Sequence, residues 1–211
     1  MASHRRPRQS LSRRVGVRAP RKTLVVFCEG ELTEPDYLGA LRRLPEVRGQ
    51  AAVEIRVMPH DPSTPFALVR RASAERKKAL REQAEIDEFW CLFDVEAPKS
   101  HPDLQRAFDL ARNNSIRIAV SNPCFEAWLA MHFQTCTGWL STAEADRLRR
   151  RLDGSRGKGV DGATYMPKRH DAAKRARLAH DRHSRNGTVP PVDNPSSTMF
   201  ALTESVEPKS G

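Results

Sequence analysis

The sequence predicts an α/β domain: a mostly parallel sheet flanked by helices, followed by a basic helical C-terminal portion. Three observations predict it. Short apolar runs alternate with segments of helical spacing from residue 23 to about 132, two of those runs end in carboxylates, and beyond Gly138 the pattern turns helical and rich in Arg and Lys. Strands and helices in alternation bury a parallel sheet under helices on both faces. A chain of 211 residues has room for one such domain with trimmings and is short for two.

Thr23-Leu-Val-Val-Phe-Cys28 is a continuous apolar run ending in Glu29-Gly30, the pattern of a strand buried on both faces. Thr33 as N-cap, Pro35 in the first turn and the carboxylates of Glu34 and Asp36 near the positive end of the dipole predict a helix through Leu44. Residues 53–58 alternate as a second strand, and Phe66, Val69, Ala72 and Leu80 mark a helix from Pro65 to about Ala84. Residues 88–94 form the third strand, with Asp94 and Glu96 at its end; Leu104, Phe108 and Ala111 share one face of a helix over 102–112; residues 115–120 form the fourth strand. Ser121-Asn122-Pro123 opens a helix over 124–132. Helices follow over 142–152, 165–183 and 197–206, with the Gly-rich stretch 154–162 as a flexible loop.

The net charge of +10 is unevenly spread. Residues 1–22 hold eight basic residues and no acid, which predicts a disordered basic tail serving as a solubilising arm or as a contact to nucleic acid; a short disordered tail is expected over 207–211. Residues 23–140 carry 14 basic and 17 acidic groups, and residues 141–185 carry 13 and 6. No apolar run approaches the roughly 20 residues that span a bilayer, and no apolar core follows the basic N-terminus as in a secretory signal, so no membrane contact and a cytoplasmic location are expected. Cys28, Cys91, Cys124 and Cys136 form no C-x-x-C pair and read as buried free thiols. Hydrolase elbows, H-E-x-x-H and Walker A patterns are missing; the Gly-Lys of the 154–159 loop has no following Ser or Thr and is not read as a P-loop. His180 and His183, spaced i, i+3 on a basic helix, complete no metal motif and read as surface residues.

Ligands in an open parallel sheet bind beyond the carboxyl ends of its strands. Glu29, Asp94 and Glu96 fall at such ends, and they converge if the first and third strands are neighbours. Acids gathered without bases repel one another unless a divalent cation sits among them, and an all-oxygen set suits Mg²⁺ or Mn²⁺ acting on phosphates. The chemistry expected is metal-assisted phosphoryl transfer or phosphodiester hydrolysis. Glu126, in an otherwise apolar first helical turn, is a further candidate, either capping its helix or supporting the site.

Glu29-Gly30-Glu31-Leu32-Thr33-Glu34, Phe93-Asp94-Val95-Glu96 and Ser121-Asn122-Pro123-Cys124-Phe125-Glu126-Ala127-Trp128-Leu129, in that order, resemble the E-G-x-x-T-E and S-N-P-x-F-E-x-W-L signatures of the RloB-like family, and Asn194-Pro195-Ser196-Ser197-Thr198 is similar to its closing segment. The resemblance spans about residues 23–206. It implies a Toprim/Rossmann-like fold and an association with restriction and anti-phage loci. It also implies that Glu29 acts as general acid/base or metal ligand, that Asp94 and Glu96 take the places of a D-x-D pair around Mg²⁺, and that Glu34, Asn122 and Glu126 support the site. Glu96 departs from the usual Asp, and its extra methylene moves the carboxylate outward.

The predicted helix over 165–183 carries Lys168, Arg169, Lys174 and Arg175 beside a thin Ala stripe, the pattern of a surface that holds nucleic-acid phosphates without reading sequence, or of a solvated helix. No aromatic residues cluster on it, so base stacking is not indicated there. Two functions are therefore expected in competition. One is a Mg²⁺-dependent Toprim-like nuclease acting on DNA or RNA. The other is a non-catalytic subunit that binds nucleic acid or regulates, and works with a partner ATPase.

Overall fold

The computed structural model describes residues 21–57 and 64–208. Its strands are β1 (Lys22–Cys28), β2 (Ala51–Val57), β3 (Glu88–Asp94), β4 (Arg117–Asn122) and the short β5 (Ser196–Ser197). They form one sheet in the order β2-β1-β3-β4-β5, parallel except for β5 against β4. The helices are α1 (Thr33–Leu41), α2 (Pro45–Gln50), α3 (Pro65–Arg81), α4 (Leu104–Asn113), α5 (Phe125–Met131), α6 (Thr142–Asp153), α7 (Gly162–Tyr165), α8 (Arg169–Arg185) and α9 (Met199–Val206). The α/β expectation with a mostly parallel, helix-flanked sheet holds.

Side chains alternate across a strand, and β1 divides accordingly. Leu24, Val26 and Cys28 face a large core with Tyr37 and Leu38 of α1, Trp128 and Leu129 of α5, Ala172 and Ala176 of α8 and Leu202 of α9. Val25 and Phe27 face a second core with Leu68, Val69 and Ala72 of α3 and Ala107 and Ala111 of α4. Burial on both faces is why β1 and β3 read as unbroken apolar runs. Trp90 and Trp128, at most 1 % exposed, are among the largest side chains in the first core.

Several element boundaries differ from the sequence expectation, each for a local reason. Leu44 is extended (φ −58°, ψ 134°) because it precedes Pro45, so the first helix stops at Leu41 and α2 starts at Pro45. Leu32, not Thr33, is the N-cap of α1; the Thr33 hydroxyl instead donates to the Lys158 carbonyl at 3.1 Å. Ser115 takes a left-handed φ of +52°, which delays β4 to Arg117. Pro167 divides the long basic helix into α7, a 3-10 turn over Met166–Lys168, and α8. β5 has no sequence signal because two residues carry no periodicity; a Ser121–Ser197 hydroxyl contact of 3.0 Å fastens it to β4.

Lys22 and Glu207, assigned to the tails, belong to the folded body. Lys22 Nζ pairs with Glu88 Oε1 at 2.7 Å, and Glu207 Oε1 pairs with Arg169 Nε at 2.5 Å. Residues 1–20 and 209–211 of the expected tails lie outside the described residues, as does Met58 of the expected second strand. All four cysteines are buried and free. Among the described residues no helix is long and apolar enough to cross a membrane.

Candidate functional site

β1 and β3 are neighbours with Cys28 opposite Leu92, and the Glu29 N–H donates to the Leu92 carbonyl at 3.2 Å, which extends the ladder by one residue. Asp94 lies two residues beyond Leu92 and so shares its face of the sheet, the side covered by α1 and α5. The Asp94 N–H donates to the Glu29 carboxylate, and the N–H of Phe125, at the start of α5, donates to the Asp94 carboxylate. Glu34, 7 % exposed, folds its carboxylate over Gly30 and accepts from the Gly30 N–H and from its own. A Cβ on Gly30 would stand 2.0 Å from Glu34 Oε2, so this approach requires glycine.

The result is a group of carboxylates that act on one another. Burial first, then the charges of Glu34 and Glu96, push Glu29 up to about 7, against the Asp94 N–H that pulls it down. Asp94 is raised well above the usual carboxylate range by burial and by Glu34, Glu126 and Glu29. Glu34 is raised as well, chiefly by burial and then by Glu126, while the two N–H bonds and the Lys158 ammonium work in the other direction. Glu126, in the first turn of α5, thus contributes charge to the cluster. Glu96 sits differently. Its side chain is exposed, on a loop whose backbone at that residue is left-handed (φ +63°), and its N–H donates to the Pro123 carbonyl at 2.7 Å. For a residue with a Cβ that conformation costs about 1 kcal/mol, and such outliers gather at functional sites.

The donor set fits a hard divalent cation in its chemistry. It is all oxygen and strongly negative, and Glu29 Oε2 is buried with no hydrogen-bond partner. As the side chains stand, no group of three His, Cys, Asp or Glu among the described residues is set to hold an ion. Mg²⁺ commonly takes only one or two protein carboxylates and fills its shell with waters and substrate phosphate oxygens, so a partial set remains compatible with it. Glu29 and Asp94 are the residues best placed to supply those oxygens, with Glu96 at the rim.

Two groups at this site were not among the expected site residues. His101 Nε2 lies 3.7 Å from Glu29 Oε1 and has no hydrogen-bond partner; from sequence it reads as one more surface histidine, because no metal motif surrounds it. Lys158 faces Glu34 from the loop expected to be flexible. That loop is fixed from below by Arg149, 1 % exposed, whose Nη1 and Nη2 donate to the carbonyls of Gly157 (2.7 Å) and Gly159 (2.6 Å) on either side of Lys158. Arg149 Nε also pairs with Asp153 at 2.7 Å. From α1, Thr33 and Asp36 bond to the Lys158 carbonyl and the Val160 N–H. The Gly-Lys-Gly signal was visible in the sequence, but a buried Arg eight residues earlier is what makes it a platform.

The remaining candidates are placed elsewhere. Asn122, 1 % exposed, donates to Asp193 Oδ1 (2.7 Å) and the Pro191 carbonyl (3.0 Å), tying the end of β4 to the loop before β5. Arg169 is held between Glu46 and Glu207. Arg175 donates to the Met131 and His132 carbonyls at the end of α5, and Lys168 reaches the Thr164 carbonyl and the Phe133 ring. Lys174 is exposed. Three of the four expected phosphate contacts are therefore committed within the fold. His180 and His183 are half-buried instead of exposed, His180 against Phe200 and His183 bonded to Thr188. His132 is wholly buried against Tyr37, Trp128 and Tyr165, and burial pushes it down to about 4.

A search of curated proteins and a search of solved structures returned no match. The family model described as RloB-like protein matches residues 24–206. That span runs from β1 to the end of α9 and includes the carboxylate cluster, Lys158 and His101. The chain belongs to the RloB-like family.

Proposed function

We propose that this chain hydrolyses phosphodiester bonds in DNA or RNA with the help of Mg²⁺ or Mn²⁺, as a Toprim-like nuclease in anti-phage defence. The observation that carries the reading is the convergence of Glu29 and Asp94, from adjacent parallel strand ends, with Glu34 and Glu126, all held in partly buried positions that raise Glu29, Glu34 and Asp94. Such a cluster is unfavourable by itself and becomes favourable around a cation. A bound cation would polarise a phosphoryl oxygen and lower the pKa of a coordinated water. Glu29, poised near neutrality, would accept or return a proton at its unbonded Oε2. Lys158 would neutralise a phosphate oxygen at the mouth of the site.

A second reading has an observation in its favour. Among the described residues no three side chains are set to close around an ion, which suits a site completed by substrate phosphates or by a partner such as an ATPase. Incubation of the purified chain with labelled DNA and RNA in Mn²⁺ tests both. Cleavage by wild type that Asp94→Asn abolishes supports the nuclease. Cleavage equal in wild type, Asp94→Asn and Glu29→Gln refutes it. Cleavage only when the ATPase is added supports the partner-dependent form.

A further inference from the structure

Of the three tryptophans, Trp90 and Trp128 are buried, whereas Trp139 stands 58 % exposed. It lines a concavity of about 510 Å³ between the 134–140 loop and α6, together with Thr137, Glu144, Arg147, Leu148 and Arg151. A large exposed aromatic ring on a loose loop would signify little, but this one is braced. The Asn194 side chain bonds to both the N–H and the carbonyl of Leu140, at 2.9 and 2.8 Å. Two residues on, the Thr142 N–H donates to the Ala97 carbonyl at 3.1 Å and its hydroxyl accepts from the Ala97 N–H at 3.2 Å. Asn194 and Thr142 therefore fix the backbone one and three residues beyond the ring.

The charges around it are selective. Arg149 and Arg150 of the same helix are bound to Asp153 and Asp146, but Arg147 and Arg151, one turn apart on α6, are exposed and make no ion pair among the described residues. The carboxylate of Glu144 is occupied by the Ser141 capping box. The two exposed guanidiniums, of which Arg147 also acts on the Glu144 carboxylate, stand beside a flat ring and complement a polyanion that offers an aromatic face. The Ala97–Thr142 bonds also fasten the N-terminal end of α6 to the loop that carries Glu96.

We propose that this pocket is a subsite for single-stranded nucleic acid: an unpaired base stacks on Trp139 while neighbouring phosphates pair with Arg147 and Arg151. The inference rests on the reading of the carboxylate cluster as a phosphodiester-cleaving site and specifies the form of its substrate. A duplex keeps its bases stacked inward and has no face to present, whereas stacking on an aromatic side chain accepts any unpaired base. The ring comes from a loop outside the basic helix, on which base stacking was not indicated.

Fluorescence anisotropy of labelled oligonucleotides with the full chain, in EDTA to separate binding from cleavage, tests the proposal. Wild type should bind a single strand more tightly than the duplex of the same sequence. Trp139→Ala should weaken single-strand binding roughly ten- to hundredfold, with Trp139→Phe restoring most of it. Arg147→Ala and Arg151→Ala should each flatten the salt dependence by about 0.7 in the log–log slope. Thermal melting of Trp139→Ala should match wild type, since the ring is exposed. Unchanged affinity in Trp139→Ala, preference for duplex, or no oligonucleotide binding by wild type would each overturn the subsite. Trp139-dependent binding without metal-dependent cleavage would leave the subsite standing and remove the nuclease reading; cleavage with Trp139-independent binding would do the reverse.

Discussion

Replacing Glu29 by Gln should stabilise the metal-free protein by an amount that grows as pH rises from about 4.5 to about 7. The carboxyl has an ordinary value of 4.5 and is pushed to about 7 in the folded chain. A proton bound more tightly in the folded state means that this group favours folding below about 4.5 and that its contribution is lost as pH rises through about 7. At about 1.4 kcal/mol per pKa unit, the ionised folded form is disfavoured by about 3 kcal/mol at pH 8, and by under about 1 kcal/mol at pH 5. Gln keeps the shape and removes the charge, so its gain over wild type should grow from under about 1 to about 3 kcal/mol across that interval, or roughly 6–12 °C in Tm at pH 8. Urea titrations of both proteins at pH 5 and pH 8 in EDTA measure it. Mn²⁺ in hundredfold excess over its Kd should then recover about 2.7 kcal/mol for wild type and less for the variant. A gain that is the same at both pH values, or a variant less stable than wild type at pH 8, refutes the claim that Glu29 is held as a strained charge.

Two further outcomes follow from the 154–160 platform. Arg149→Met should cost about 3–5 kcal/mol in urea titrations, because it strands the buried Asp153 carboxylate and the Gly157 and Gly159 carbonyls; a loss under about 1 kcal/mol would mean that the loop holds itself. Lys158→Ala, at an exposed side chain, should leave stability within about 0.5 kcal/mol and reduce the salt slope of oligonucleotide binding by about 0.7–0.9. An unchanged slope would show that Lys158 touches no phosphate.

The parallel sheet was legible because β1 and β3 are buried on both faces, and a strand of that kind leaves a continuous apolar run. The acids at their ends were legible for the same reason, as the first polar residues after such runs. What the pattern could not give was adjacency: strand order β2-β1-β3 comes from how the crossovers pack, and only that order brings Glu29 beside Asp94. The basic helix shows the same limit. Charge on a helix face does not reveal whether a carboxylate from another element has already taken it, as Glu46 and Glu207 have taken Arg169. Capping of α6 was written plainly in Ser141-x-x-Glu144 and Gly154 (φ +71°), and would have fixed both ends of that helix.

A natural sequence whose local choices agree with its fold places its exceptions where function requires them. Away from the site the shielded charges are answered: Arg149 by Asp153, Glu88 by Lys22 and Arg117, Arg169 by Glu46 and Glu207. At one end of the sheet the pattern reverses. Glu29 keeps an unbonded buried oxygen, Asp94 and Glu34 are pressed together with Glu126, and Glu96 occupies a left-handed backbone. Among the described residues the nearby basic groups are few: Lys158 acts on Glu34 from an exposed position, and the His101 ring stands 3.7 Å from Glu29. Neither makes up the deficit of positive charge, and no apolar packing explains why four acids should be kept within reach of one another. A structural role would be served as well by Gln or Asn at each position, without the repulsion. What distinguishes carboxylates from amides is their affinity for protons and cations, and that difference is what the Glu29→Gln titration with and without Mn²⁺ isolates.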